Sequence, residues 1–210
     1  MSKRPVITHK HRICVICEGL EEKCYFNRLL EFNVFDSGYE FATINANGAA
    51  NVFARFQDAY NNDSYEMVVV FCDTDKYPYK QYKQNIKDKI NSFFNKDLAA
   101  QKTVIWANPC TMQIVLSHFG AVHLVSQSKK TNAKIIEEYT GVKEYNGHEE
   151  QIKEICDKIF RRTYPEMKRR LQAQEYDDNT SGTSNIVLFL EKFESGDTAW
   201  INETNQYLES

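Results

Sequence analysis

Four short apolar runs, separated by stretches with helical spacing, organise the first part of the chain. The runs are rich in β-branched and aromatic residues and predict strands at 12–17, 41–45, 67–72 and 103–106. Apolar residues recur at intervals of three and four in 21–34, in 48–60 and from Tyr79 to Phe93. The alternating order of strands and helices predicts a parallel sheet of about four strands with helices on both faces.

The pattern becomes wholly helical beyond the fourth strand. Apolar residues at helical spacing over 152–160 are interrupted at Pro165, and a polar loop around 172–184 follows. We therefore expect an α/β core over residues 1–127 and a helical C-terminal extension over 128–210 that packs on it.

Two local interpretations concern the region after the fourth strand. Asn108 is predicted to cap a helix that starts at Pro109, because both residue types favour those positions. His118, partly on the inward side of that helix, is interpreted as a hydrogen-bonded structural histidine rather than a catalytic base. Asn108 follows the carboxyl end of a predicted strand, so it could also contact a phosphate.

Composition places the chain among globular proteins, with 42% hydrophobic and 26% charged residues. No apolar stretch approaches the roughly 20 residues of a membrane span, and the basic first residues precede too few apolar ones for a secretory signal. We therefore expect a cytoplasmic protein whose six cysteines are reduced. Cys14 and Cys17 would point to opposite faces of a strand and so could not share a metal. The formal net charge of −3 gives no global signal for nucleic acid, so binding of a polyanion must be local.

Acidic residues close two of the predicted strands. Glu18 follows the first strand, and Asp73 and Asp75 follow the third, two positions apart and therefore on the same side of an extended chain. Ligands of open α/β sheets bind beyond the carboxyl ends of such strands. Glu22 lies on the core-facing side of the first helix, whereas Glu21 is expected to face away. The sequence therefore predicts that carboxylates converge on one crevice.

Converging carboxylates repel one another unless a cation binds between them. Oxygen ligands of this kind suit Mg²⁺ or Mn²⁺, which also bind substrate phosphate and can activate water. We expect Glu18, Glu22, Asp73 and Asp75 to bind the metal, and Glu18, Asp73 and Asp75 to be catalytic. Two simpler interpretations remain open: a DxD can be a strand end with an Asx-type turn, and an acid early in a helix is favoured by the dipole.

Basic residues mark two candidate surfaces for a nucleic-acid backbone. Charged helix faces are usually only solvated, so both are hypotheses. The predicted nucleic-acid-binding residues are Lys129, Lys130, Arg161, Arg162, Lys168, Arg169 and Arg170. Lys129 and Lys130 could also place positive charge near a reacting phosphate.

Three segments resemble known motifs. CEGLEEKCYF at 17–26 resembles the EGxTExxYF signature that opens a TOPRIM domain, and VFCDTD at 70–75 resembles its DxD segment. WANPC at 106–110 with SHF at 117–119 is similar to the SNPC and HF segments of RloB-like proteins, and 181–187 weakly resembles a later segment of that family.

This resemblance implies a TOPRIM-like Rossmannoid fold and Mg²⁺-dependent phosphodiester chemistry, as in topoisomerases, primases and OLD-type nucleases. For the RloB-like branch it implies a nuclease in anti-phage defence, with an ATPase partner subunit encoded elsewhere because this chain has no GxxxxGK[ST] loop. Two positions depart from the pattern: Glu21 replaces the usual Thr or Ser, and Met112 replaces the usual Glu. The second departure puts full activity in doubt.

The favoured function is thus hydrolysis of phosphodiester bonds in DNA or RNA. One alternative is a catalytically silent TOPRIM module that binds or senses nucleic acid within a defence complex. Others are a DxD glycosyltransferase, which leaves Glu18 unexplained, and a haloacid-dehalogenase phosphatase, whose motif should follow the first strand.

Overall fold

A four-stranded sheet forms the centre of the structure, a computed structural model that describes residues 9–74, 80–177 and 180–210. The strands are β1 (His11–Cys17), β2 (Tyr39–Asn45), β3 (Met67–Asp73) and β4 (Val104–Ala107). All neighbouring strands are parallel, in the order β2-β1-β3-β4. The predicted α/β class with four parallel strands is confirmed, and each strand lies within about two residues of its predicted bounds.

Helices connect the strands and cover both faces of the sheet. In the described ranges they are α1 (Leu20–Glu31), α2 (Ala49–Tyr60), α3 (Lys80–Phe94), α4 (Ala99–Thr103), α5 (Met112–Leu116), α6 (Lys129–Thr140), α7 (Glu149–Asp157), α8 (Tyr164–Gln172), α9 (Ile186–Glu194) and α10 (Ala199–Glu209). The three predicted crossover helices correspond to α1, α2 and α3; Tyr79 lies outside the described residues. In the part of the chain that the structure covers, no helix has the length and apolarity to cross a membrane.

Side chains of β1 alternate between two hydrophobic clusters, one on each face of the sheet. Ile13, Val15 and Cys17 belong to the first cluster, and Cys14 and Ile16 belong to the second. Both faces are therefore buried, which explains the continuous apolar runs. Cys14 and Cys17 point to opposite faces as predicted, so they cannot bind one metal ion together.

The helices beyond residue 127 bury part of the first face. Phe71 of β3 and Ile105 of β4 belong to the same cluster as Ile136 of α6, Met167 of α8 and Phe189 of α9. Because α2, α3 and α4 pack on the second face, the first face is covered by α1 and α5 together with these C-terminal helices. The α/β core and the extension thus share one hydrophobic cluster.

The predicted helix start at Asn108–Pro109 is wrong. The bond between these residues is cis, and α5 begins only at Met112. The amide nitrogen of the Asn108 side chain donates to the carbonyl of Thr180 (2.7 Å), and the Asn108 backbone N–H donates to Thr183 (2.9 Å). Asn108 therefore ties the end of β4 to the segment before α9 instead of capping a helix.

Candidate functional site

The strand order places a crevice between the carboxyl ends of β1 and β3. These strands are neighbours, but the chain leaves β1 toward β2 on one side and continues from β3 toward β4 on the other. Such a point of reversal is where open α/β sheets bind ligands. Glu18 follows β1 directly and Asp73 is the last residue of β3, so both lie at this reversal.

A cavity of about 610 Å³ opens at this crevice, within the usual range for small-ligand sites. Four acidic residues and one lysine line it: Glu18, Glu21, Glu22, Asp73 and Lys129. The start of α2, residues 48–50, also contributes to the wall. Side chains from β1, β3, α1 and α6 therefore meet in one space.

Asp73 is held by the turn that precedes α5. The Thr111 backbone N–H and hydroxyl both donate to Asp73 Oδ1, at 2.7 and 3.0 Å. The Asp73 backbone N–H donates to Glu18 Oε2 at 3.1 Å. Asp73 therefore has a fixed orientation, and the Glu18 carboxylate lies against the end of β3.

Glu22 is buried in the first turn of α1, as its position in the helical pattern predicts. Its Oε2 accepts a hydrogen bond from the Gly19 backbone N–H at 2.7 Å, which is the return half of a capping box. This contact stabilises the start of α1 and leaves the rest of the carboxylate available to the crevice.

Glu21 is also buried, which corrects the expectation that it faces away from the core. Its Oε1 accepts hydrogen bonds from Lys129 Nζ at 2.5 Å and from the Tyr145 hydroxyl at 2.6 Å. Both partners belong to the extension, so the helical pattern of α1 alone could not reveal them. The only signal in the sequence is that an acid stands where the TOPRIM signature usually has Thr or Ser.

One carboxylate oxygen from each of Glu21, Glu22 and Asp73 lies within 4.8 Å of the other two. Oxygens that share one Mg²⁺ lie about 3.0 Å apart when adjacent and about 4.2 Å apart when opposite, because Mg–O distances are near 2.1 Å. The three carboxylates therefore fit a hard divalent cation after small side-chain shifts. Glu18 borders this group, and Asp75 lies outside the described residues.

The electrostatics of the cluster favour a bound cation. Burial raises the pKa of Asp73 well above its usual range, and the charges of Glu22, Glu18 and Glu21 raise it further. Burial followed by the charge of Glu21 raises the pKa of Glu22 to about 7. Burial is the largest influence on Lys129 and lowers its pKa, but the charges of Glu21, Glu22 and Asp73 and the hydrogen bond to Glu21 together raise it, and the net shift is upward. Without a further cation, protons must therefore neutralise part of the cluster.

The predicted basic residues separate into two groups. Lys129 lines the cavity, whereas Lys130 is exposed beside it in sequence. In the second group, Lys168 pairs with an acid at 2.7 Å and Arg169 with another at 2.8 Å, so much of their charge is compensated. Arg161, Arg162 and Arg169 are exposed, and Arg170 donates to the Ser117 carbonyl at 2.6 Å.

His118 is a structural residue, as interpreted from the sequence. It is buried, with Nε2 3.0 Å from the Tyr25 hydroxyl and Nδ1 2.9 Å from the Thr163 hydroxyl. Burial followed by the charge of Arg170 lowers the pKa of His118 to about 3. The ring is therefore neutral at physiological pH and bridges α1, the end of α5 and the start of α8.

Comparisons with protein-family models, with curated proteins and with solved structures give no match for this chain. The resemblance to TOPRIM and RloB-like proteins thus stays a prediction that rests on short motifs. Any function must be argued from the site itself.

Proposed function

We propose that this protein is a Mg²⁺-dependent nuclease that hydrolyses phosphodiester bonds in DNA or RNA at the cavity between β1 and β3. One observation carries the proposal: three carboxylates from two elements, two of them buried, each offer an oxygen within 4.8 Å of the others at the point where the strand order reverses. Such a donor set is suited to Mg²⁺ or Mn²⁺.

Each residue of the cavity has a distinct role in this proposal. Asp73, Glu22 and Glu21 would hold the cation, with Glu18 beside them. When bound, the cation would supply an activated water and stabilise negative charge on phosphate oxygens. Lys129 adds a positive charge at the same wall, where it can attract a phosphate group. The backbone N–H groups at the start of α2 favour an anion in this space.

Of the two departures from the resembled pattern, Met112 replaces an acid and Glu21 adds one. Met112 is buried in the first hydrophobic cluster, where it contributes packing and no ligand. Glu21, the other departure, brings an extra carboxylate into the cavity. Burial of this acid costs free energy, which the hydrogen bonds from Lys129 and Tyr145 offset in part. The cavity thus has four acids without one at position 112. This observation favours an active enzyme over a silent binding module.

The wider setting is part of the proposal and rests on the motif resemblance. A role in anti-phage defence and an ATPase partner subunit follow from it, and the proposed location is the cytoplasm. Nucleic acid would contact the cavity through Lys129, with the exposed Lys130, Arg161 and Arg162 as further backbone contacts. The ion pairs of Lys168 and Arg169 make these two residues weaker candidates.

The test is cleavage by the purified chain of single-stranded DNA, double-stranded DNA and total RNA, with Mg²⁺, Mn²⁺ or chelator. We expect metal-dependent cleavage that Asp73→Asn lowers at least about a hundredfold. Burial already favours the neutral form of this acid, so the amide should be tolerated by the fold. Glu138→Gln, an exposed change on α6, is the matched control.

Two results would contradict the proposal. Cleavage by Asp73→Asn at the wild-type rate would place the chemistry elsewhere. A folded wild-type chain that binds nucleic acid but cuts none of the substrates would instead support the silent binding module. Turnover of a sugar nucleotide or a trapped aspartyl phosphate would favour the other DxD enzymes.

A further inference from the structure

A second cluster of metal-ligating side chains lies at the opposite end of the sheet. His9 Nδ1 is 3.8 Å from Glu66 Oε1, and His11 Nδ1 is 2.7 Å from Glu66 Oε2. One ligand atom from each of the three residues lies within 4.8 Å of the others. The proposed nuclease chemistry uses none of these residues.

The strand pairing explains why these side chains meet. His11 is the first residue of β1 and His9 precedes it by two, so an extended chain directs both rings to the same side. Glu66 directly precedes β3, and its backbone N–H donates to the Arg12 carbonyl at 2.8 Å. This hydrogen bond holds the carboxylate beside the two imidazole rings.

We propose that His9, His11 and Glu66 form a binding site for a divalent transition-metal ion of the zinc class. Two imidazole nitrogens and one carboxylate oxygen suit Zn²⁺, Ni²⁺ or Cu²⁺, whereas Mg²⁺ and Ca²⁺ prefer oxygen ligands alone. With metal–ligand distances near 2.1 Å, tetrahedral ligands lie about 3.4 Å apart. The observed separations of 2.7 and 3.8 Å lie on either side of this value.

The accessibility of the cluster suits an ion that enters from solvent. The His9 side chain is 78% exposed, that of His11 is 26% exposed and that of Glu66 is 37% exposed. Water can therefore complete the coordination of the ion. A bound ion would link the segment before β1 to the start of β3 and so stabilise the amino-terminal edge of the sheet.

This site is separate from the acidic cavity. His11 and Glu18 stand at opposite ends of β1, seven positions apart, which corresponds to about 23 Å in an extended strand. The two clusters also differ in ligand type, since the cavity offers carboxylates and the second site offers imidazoles. The two sites can therefore be tested independently, and failure of one leaves the other unaffected.

The first experiment is a calorimetric titration of the purified full chain with Zn²⁺ in excess Mg²⁺, which competes with Zn²⁺ for the carboxylates of the cavity. We expect one saturable site whose affinity falls at least about tenfold in the double variant His9→Ala/His11→Ala and in Glu66→Gln. His123→Ala removes an exposed histidine elsewhere and is the matched control. Circular dichroism establishes that each variant is folded, as expected for residues that are not fully buried.

The second experiment identifies the ligands directly. One equivalent of Cu²⁺ should give an electron paramagnetic resonance spectrum with nitrogen couplings typical of imidazole, and these should disappear in the double variant. Zn²⁺ affinity that is unchanged in the double variant would overturn the proposal. Loss of the Zn²⁺ site in Asp73→Asn with retention in the double variant would also overturn it, because the ion would then belong to the cavity.

Discussion

At the scale of single residues, Glu22 links the site to the pH dependence of stability. Its folded pKa of about 7 exceeds its ordinary value of 4.5, so the folded chain keeps a proton that the unfolded chain loses. In metal-free protein, stability from this group is therefore full below about pH 4.5 and declines as pH rises toward 7. A shift of this size corresponds to about 3 kcal/mol at most.

The prediction is that Glu22→Gln flattens this decline. The measurement is the free energy of unfolding in urea, with chelator, at several pH values between 4.5 and 8. Asp73 shifts in the same direction, so part of the slope should persist. Glu138→Gln should keep the wild-type slope, and Mg²⁺ should reduce that slope because it stabilises the ionised cluster. An identical slope in wild type and Glu22→Gln would contradict the burial argument.

A second prediction at the scale of single residues concerns Lys129. Its ammonium group is 2.5 Å from Glu21 Oε1 at the wall of the cavity. If it attracts the reacting phosphate, Lys129→Met should lower the cleavage rate about a hundredfold. Lys134→Met, an exposed change on the same helix, should leave the rate within about twofold, as expected for an exposed side chain away from the site. Equal rates in both variants would show that Lys129 serves only to compensate Glu21.

The residues of the site were predictable only where local pattern determines them. Glu18 and Asp73 are recognisable as strand-terminal acids, and Glu22 as an acid on the buried side of a helix. The burial of Glu21 was not predictable, because its partners Lys129 and Tyr145 lie 108 and 124 positions away in the sequence. Long-range hydrogen bonds of this kind have no counterpart in helical periodicity.

At the scale of elements, the turn from β2 into α2 depends on one glycine. Gly48 has φ 114° and ψ 154°, a backbone region that only glycine adopts readily. Its N–H donates to the Glu18 carbonyl at 2.8 Å, which joins the start of α2 to the end of β1. The geometry of one cavity wall therefore depends on this residue.

We predict that Gly48→Ala lowers the free energy of unfolding by about 1–3 kcal/mol. The expected loss of stability comes from backbone strain and not from a steric clash, since an added methyl group would meet no atom within 4 Å. Gly196→Ala is the control, because Gly196 lacks a positive φ and should change stability by less than about 0.5 kcal/mol. Equilibrium unfolding in urea provides both values. A neutral Gly48→Ala variant would mean that the turn relaxes without strain.

Element types were predictable because buried parallel strands and amphipathic helices have distinct periods. The start of α5 was not, because Asn108 and Pro109 are favoured both in helix caps and in turns. The choice between these depends on the carbonyl of Thr180, which accepts the Asn108 amide. Thr180 lies in the extension, so rules that consider only neighbouring residues cannot predict this contact.

At the scale of the whole molecule, the extension completes the hydrophobic core. The side chains of β3 and β4 on the first face contact residues from helices beyond 127 in one cluster. The same extension supplies Lys129 and Tyr145 to the cavity. The fold and the site therefore both depend on helices that the sequence pattern predicts only as an extension packed on the core.

The last prediction follows from this shared core. A fragment of residues 1–127 should fail to unfold cooperatively and should bind a hydrophobic dye, because β3 and β4 would expose apolar side chains such as Phe71 and Ile105. Thermal unfolding monitored by circular dichroism tests this. Adding the fragment 128–210 should restore the cooperative transition, because its helices can pack on the first face of the sheet without a covalent link. A fragment 1–127 that unfolds cooperatively by itself would instead show that α1 and α5 suffice to bury the first face, and the extension would then serve the site rather than the fold.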